Sequence, residues 1–229
     1  MREIDYKKYE NLDTVILDKH AAATIAEDCQ SFQCQLENHC AHVIMLMEQN
    51  IITKEEAGKI LKALLRLKEM GPDKIPFRPG LTDLYSNIEE WLIDELGIET
   101  GGKVHTGRSR NDMNSSVERV YTRRTILENI EAILFLMQTL LNKAEEHKET
   151  VIPGYTHHSQ QAQPVTLGHF YTSAFQAFSR DAERLLDAYK RVNLSTMGGA
   201  AIATTSFPIN RERTAELLGF DGYLLNSMD

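Results

Sequence analysis

Residues 114–147, NSSVERVYTRRTILENIEAILFLMQTLLNKAEEH, decide the fold. Val120, Leu127, Leu134 and Leu141 recur every seven residues, and Ile130 and Met137 fill intermediate positions. That pattern predicts one unbroken helix. At ~1.5 Å per residue it is roughly 50 Å long, and a small globule cannot bury so long a stripe. A second seven-residue series, Tyr171, Phe178, Leu185 and Val192, with Ala174, Ala182 and Tyr189 between, predicts a partner helix over 166–193. Two such helices imply an extended bundle, and their excess apolar faces call for further helices from the rest of the molecule or from sister subunits. No stretch alternates like a strand for more than about four residues, so the connections read as loops and the fold class as all-α.

Upstream the signals are local. TKEE at 53–56 is a capping box that starts a helix, with Ile60, Leu61, Leu64, Leu65 and Leu67 on its apolar face and Gly71-Pro72 at its end. One long or two shorter helices are expected over 17–49, and IPFRPGL at 75–81 reads as a loop. Leu84, Ile88, Trp91, Leu92 and Leu96 restore helical spacing as far as Gly97. Downstream, Asn210 is placed to cap a short helix over 211–218 that stops at Gly219. The expected division is an N-terminal helical domain over 1–106 and an incomplete central helical-bundle domain over 107–229.

Composition narrows the function. The chain has 229 residues, 42% of them hydrophobic, and 33 acidic against 25 basic side chains give a net charge of −8. Such a surface repels nucleic-acid phosphates unless its cations are segregated, and they are not. The charged N-terminus has no apolar core of a signal peptide, and the longest apolar run, AILFLM at 132–137, is far short of a membrane span. A cytoplasmic protein is expected, with no nucleic-acid or membrane partner. Cys29, Cys34 and Cys40 fit neither an even disulfide set nor a zinc spacing, so buried or half-buried free thiols are expected.

Three polar segments flank the long helices: GGKVHTGRSRNDMNSS at 101–116, VIPGYTHHSQQAQPVT at 151–166 and LSTMGGAAIATTSFPINRER at 194–213. The first combines glycines, amides at a helix start and the planar forks of Arg108 and Arg110, the chemistry of an anion pocket. A capped helix start with two solvated arginines is the structural alternative. The order of residues is not that of a phosphate-binding P-loop. In the second segment Thr156, His157, His158, Gln160 and Gln163 occupy a turn before a helix, where a histidine can shuttle protons and amides can orient a polar ligand. Exposed turn residues are the structural alternative. Adjacent histidines diverge and have no acidic partner at helical spacing, which argues against a metal site. In an antiparallel pair of full-length helices the second segment lies at the opposite end from the other two, so segments one and two meet only between subunits.

HTGRSRND at 105–112, PGYTH followed shortly by AQP, and FPINRERTAELLGFDG at 207–222, in this order, resemble the argininosuccinate lyase and δ-crystallin family of the fumarase/aspartase superfamily. The likeness is strong from about Asp83 to the end and looser over EQNIITKEEAGKIL at 48–61. It implies elimination of fumarate from argininosuccinate to leave arginine, a step of arginine biosynthesis, with no metal or organic cofactor. It further implies a homotetramer in which central helices form a shared bundle and each site draws on three subunits. Ser109, Arg110 and Asn111 are then expected to contact substrate, with Gln160 positioning it. Thr156 and a following histidine are expected to bind substrate and assist proton transfer.

Four features depart from the family pattern. THHSQQAQP holds one residue more than usual, so counting from PGYT selects His157 and counting back from AQP selects His158. Tyr85 stands where the family usually has histidine, and His39 stands about where it has a substrate-segment serine. The chain also ends at NSMD, before the serine loop that supplies the family's proposed base, so the chain alone is expected not to turn over. Two other readings remain open: a superfamily lyase acting on another succinyl-amine, and a non-catalytic, crystallin-like helical protein.

Overall fold

The computed structural model describes residues 28–75, 78, 81 and 83–229. The N-terminal part of the helix expected from residue 17, and most of the loop expected at 75–81, lie outside them. The chain divides into two compact units, one built from residues up to Tyr121 together with Leu194–Asp229, the other from Thr122–Asn193.

In the first unit, helices α1 (Phe32–Glu48), α2 (Lys54–Met70) and α3 (Leu84–Leu96) enclose one apolar core. Leu46, Ile60, Leu67, Ile88 and Leu92 are among its fully buried members. The start of α2 is fixed by the expected capping box: the Glu56 amide donates to Thr53 Oγ1 at 3.2 Å, and the Thr53 amide donates to Glu56 Oε2 at 2.9 Å. Asp83 starts α3 in the same way, accepting from the Ser86 amide at 2.7 Å. A short α4 (Ile98–Gly101) and a 3-10 turn (Gly102–His105) lead to the long helix α5 (Arg110–Glu146), unbroken over 37 residues. Its first turns pack Met113, Val117 and Val120 into a second core with Tyr85, Met197 and Phe220. The short helix α7 (Arg211–Leu217) closes this unit, capped by Asn210, whose Oδ1 accepts from the Arg213 amide at 2.9 Å. Cys34 is buried, and Cys29 and Cys40 are partly so.

The second unit contains the remainder of α5, a hairpin and α6 (Leu167–Val192). The Thr166 hydroxyl caps α6 by accepting from the His169 amide at 3.1 Å. Here the structure corrects the strand-free expectation. Residues 151–166 are no simple turn but an antiparallel pair, β1 (Val151–Thr156) and β2 (Gln160–Thr166). Pro153 faces Pro164, and Gly154 lies at a bulge where a Cβ would come within 2.6 Å of the Gln163 carbonyl oxygen. Two paired prolines and two mostly exposed strands leave no apolar alternation for a sequence reading to detect.

Few apolar side chains of this unit are covered. Ile126, Ala144 and Ala182 are buried, whereas Leu134 is 54% and Phe135 77% exposed. An apolar surface left so open on long helices marks an interaction face. Among the described residues no helix is long and apolar enough to cross a membrane.

Candidate active site

The turn that opens α5 is built by Asp112. Its Oδ1 accepts from the Ser109 amide at 2.9 Å, and its Oδ2 accepts from the amides of Gly198 and Ala200, each at 2.9 Å. Thr196 Oγ1 donates to the Asp112 carbonyl at 3.2 Å. One buried carboxylate therefore joins the first polar segment to the third. Gly198 sits at φ +83°, and a Cβ there would come within 2.6 Å of Arg211, so the close turn requires glycine. Two non-glycine residues of the same loop, Ala200 and Thr204, are also left-handed, at φ 51° and 68°. For a β-branched residue that conformation is strained, and such strain persists only where the surroundings hold it.

Between these segments lies an open cleft of about 640 Å³. His105, Arg108 and Ser109 form one side of it, and Thr204, Thr205 and Phe207 the other. No acidic side chain lines it among the described residues. Asn111 reaches the third segment too, its Nδ2 donating to the Ala201 carbonyl at 3.5 Å.

The two arginines part company. Arg110 is half exposed and ion-paired to Asp83. Arg108 is buried, donating from Nη2 to His39 Nδ1 at 2.8 Å and contacting Met113 Sδ at 3.8 Å, with its guanidinium 5.4 Å from the centre of the Tyr85 ring. Arginine can only donate, so His39 Nδ1 is the acceptor and the ring proton sits on Nε2. Among the described residues, Arg108 Nε and His39 Nε2 have no hydrogen-bond partner. His39 and Tyr85, the two residues that depart from the family pattern, stack on each other at 5.6 Å and 15°. Burial holds the Tyr85 phenol above its usual range, so it stays protonated and hydrogen-bonds to His105 Nδ1. His42 donates from Nε2 to the Thr106 carbonyl at 2.9 Å, fixing the turn from below.

Burial is also the largest cause holding His39 and His42 well below the usual histidine range, with Arg108 adding to it. A depressed pKa means that the folded chain stays neutral where the unfolded chain takes up protons. Stability is therefore complete above the unfolded value of about 6.5 and is lost as pH falls below it. Denaturant unfolding is therefore expected to give lower stability at pH 5 than at pH 7. The His39→Gln variant should show a shallower slope than the parent.

The residues expected from the second segment belong to the other unit. Thr156 ends β1, Gln160 begins β2 opposite it, and His157, His158 and Ser159 form the tip, all three left-handed at φ 41°, 57° and 68°. Thr156 Oγ1 and His157 Nδ1 are 2.9 Å apart. Among the described residues no group of histidine, cysteine or carboxylate side chains has the arrangement of a metal site.

The family model described as "Lyase" matches residues 18–229. The chain belongs to the lyase family. The lyase chain is 46% identical over 206 residues to the argininosuccinate lyase of Methanocaldococcus jannaschii, a match covering 90% of this chain and 42% of that protein. It thus spans less than half the length of this curated relative. Its fold superposes on EDDS lyase in complex with formate with a TM-score of 0.79 and 37% identity, covering 86% of this chain and 38% of that one. An EDDS lyase variant with bound fumarate matches with the same score, identity and coverage.

Sequence reasoning named Arg108 and singled out His39 but did not foresee that the two are buried against each other, and it missed Asp112. Asp112 carried a readable signal, since Ser109-x-x-Asp112 is the spacing of a capping box. The burial of Arg108 and its contact with His39 depend on packing between distant segments and leave no local signal.

Proposed function

We propose that the protein carrying this chain is an argininosuccinate lyase of the cytoplasm, a homotetramer that eliminates fumarate from argininosuccinate and releases arginine. The observation that carries the reading is the cleft at the start of α5. Among the described residues no acidic side chain lines it, in a chain of net charge −8; Ser109 forms part of its wall, and Asp112 holds that turn against the third segment. The likeness to curated argininosuccinate lyases and the fumarate held by a structural relative agree with it.

In the reaction a base removes a proton from the carbon beside a carboxylate. The electron pair left behind forms the carbon–carbon double bond of fumarate as the carbon–nitrogen bond breaks, and the departing nitrogen takes up a proton. Ser109 and Asn111 donate to carboxylate oxygens, and Arg110 exchanges Asp83 for the substrate's charge. Thr156 and Gln160 orient the substrate from the hairpin. His157, already in contact with Thr156, serves proton transfer in preference to His158. The apolar faces of α5 and α6 form the shared bundle, which brings the hairpin of one subunit to the cleft of another.

The likeness to EDDS lyase supports a second reading, an elimination on a different amine of succinate. A substrate panel on the full-length protein separates the two by fumarate release. Argininosuccinate is expected to be cleaved with kcat/KM of about 10⁴ M⁻¹s⁻¹ or more. Cleavage of another N-substituted succinate in its place would transfer the assignment to the second reading.

A further inference from the structure

The bend that follows Gly198 forms the far wall of the cleft and has no role in the reaction as proposed. Ala200, Ala201 and Thr204 line the cleft, whereas Ile202 between them is 58% exposed and stands outside its wall. Both ends of the bend hold left-handed backbone on residues that carry a Cβ, Ala200 at φ 51° and Thr204 at φ 68°. That conformation is costly for alanine and more so for a β-branched threonine. The Thr204 amide donates to the Gly199 carbonyl at 2.9 Å, closing the bend on itself, and Asp112 anchors its base through the amides of Gly198 and Ala200. Two side chains from outside the bend hold its tip. Ser227 Oγ donates to the Ile202 carbonyl at 2.6 Å, and Asn111 Nδ2 donates to the Ala201 carbonyl at 3.5 Å, the outer limit of a hydrogen bond.

We propose that residues 200–204 are a lid on the cleft, hinged at the left-handed Ala200 and Thr204 and held open by Ser227 and Asn111. A ligand that draws the Asn111 amide into the cleft removes the longer of the two latches. The strain at the hinges belongs to the open form, so closing relieves it, and a change of φ at two residues is enough to swing the short tip. Closure carries Ile202, with the methyl groups of Ala201 and Ala203, over the ligand and replaces water there with apolar cover. The ligand closes the lid only as far as it binds the closed form better than the open one. The lid deepens the lyase reading and rests on its placing of the ligand in this cleft.

The test follows the Ile202 δ1 methyl resonance of the full-length protein by NMR, with fumarate affinity measured on the same samples. Saturating fumarate is expected to move the Ile202 methyl and to weaken the strong intraresidue amide-to-Hα contacts that mark positive φ at Ala200 and Thr204. Ser227→Ala removes a latch outside the cleft. It should shift the ligand-free methyl part of the way along the line toward its fumarate-bound position and tighten fumarate by about threefold, because more of the protein is already closed. Ala200→Gly, which removes the cost of positive φ from the open form, should weaken fumarate by about threefold. Fumarate bound with the Ile202 methyl unmoved, or a Ser227→Ala variant with the parent's resonance and affinity, overturns the lid and leaves the lyase reading standing. If the parent does not bind fumarate, the lyase reading of the cleft fails. The lid is then decided without ligand: movement of the methyl in Ser227→Ala together with loss of the positive-φ contacts supports it, and an unchanged spectrum overturns it.

Discussion

Asp112→Ala is expected to destabilise the first unit by about 4 kcal/mol, read as a lower midpoint in denaturant unfolding at pH 7. The wild-type carboxylate accepts three backbone amides, from Ser109, Gly198 and Ala200. Removing it leaves donors with little access to water, and each buried donor without a partner costs about 1–3 kcal/mol. Partial relaxation of the loop keeps the total below the largest sum. Asp112→Asn should fall between the two, since one oxygen remains to accept while the new amide group meets amide donors with a donor of its own. The loss extends to the cleft. Ala200 and Thr204 hold left-handed conformations next to the turn that Asp112 ties down, and without the tie the strained loop relaxes away from Asn111. A measured loss under about 1 kcal/mol would show that water replaces the carboxylate at these amides, and that Asp112 does not organise the site.

The parts of this structure that local chemistry controls were legible in the sequence. Thr53 with Glu56, Thr166 and Asn210 each bind amides at the helix starts where their residue types and spacing place them. The heptads of α5 imply an apolar face in need of cover, and among the described residues Leu134 and Phe135 are indeed left exposed. The hairpin was not legible. Its strands pair through backbone, expose most of their side chains and carry a proline each, so neither periodicity nor propensity distinguishes them from a loop.

The site was legible in part. The glycine and hydroxyl-rich turn at 105–112 reads as a candidate anion site, and the cleft is lined by residues of this turn. Sequence gave Arg108 and Arg110 equal standing, because nothing two residues apart on one turn says which guanidinium enters the core. That choice is made by His39 on α1 and Asp83 before α3, partners 69 and 27 residues away.

The largest functional effect is expected from the residues proposed to face the substrate. In the full-length protein, Asn111→Ala and Thr156→Ala should each lower fumarate release from argininosuccinate by about a hundredfold or more, since each removes a donor or a positioning hydroxyl from the reacting carboxylates. The two residues belong to different units of the chain, and the proposed assembly brings together copies contributed by different subunits. The decisive measurement is therefore made on the two inactive variants after they are dissociated, mixed and reassembled. Some sites of the mixed tetramer then hold an intact Asn111 from one subunit and an intact Thr156 from another, and fumarate release is predicted to rise well above that of either variant alone. Mixed assemblies no more active than the separate variants would contradict a carboxylate site shared between subunits.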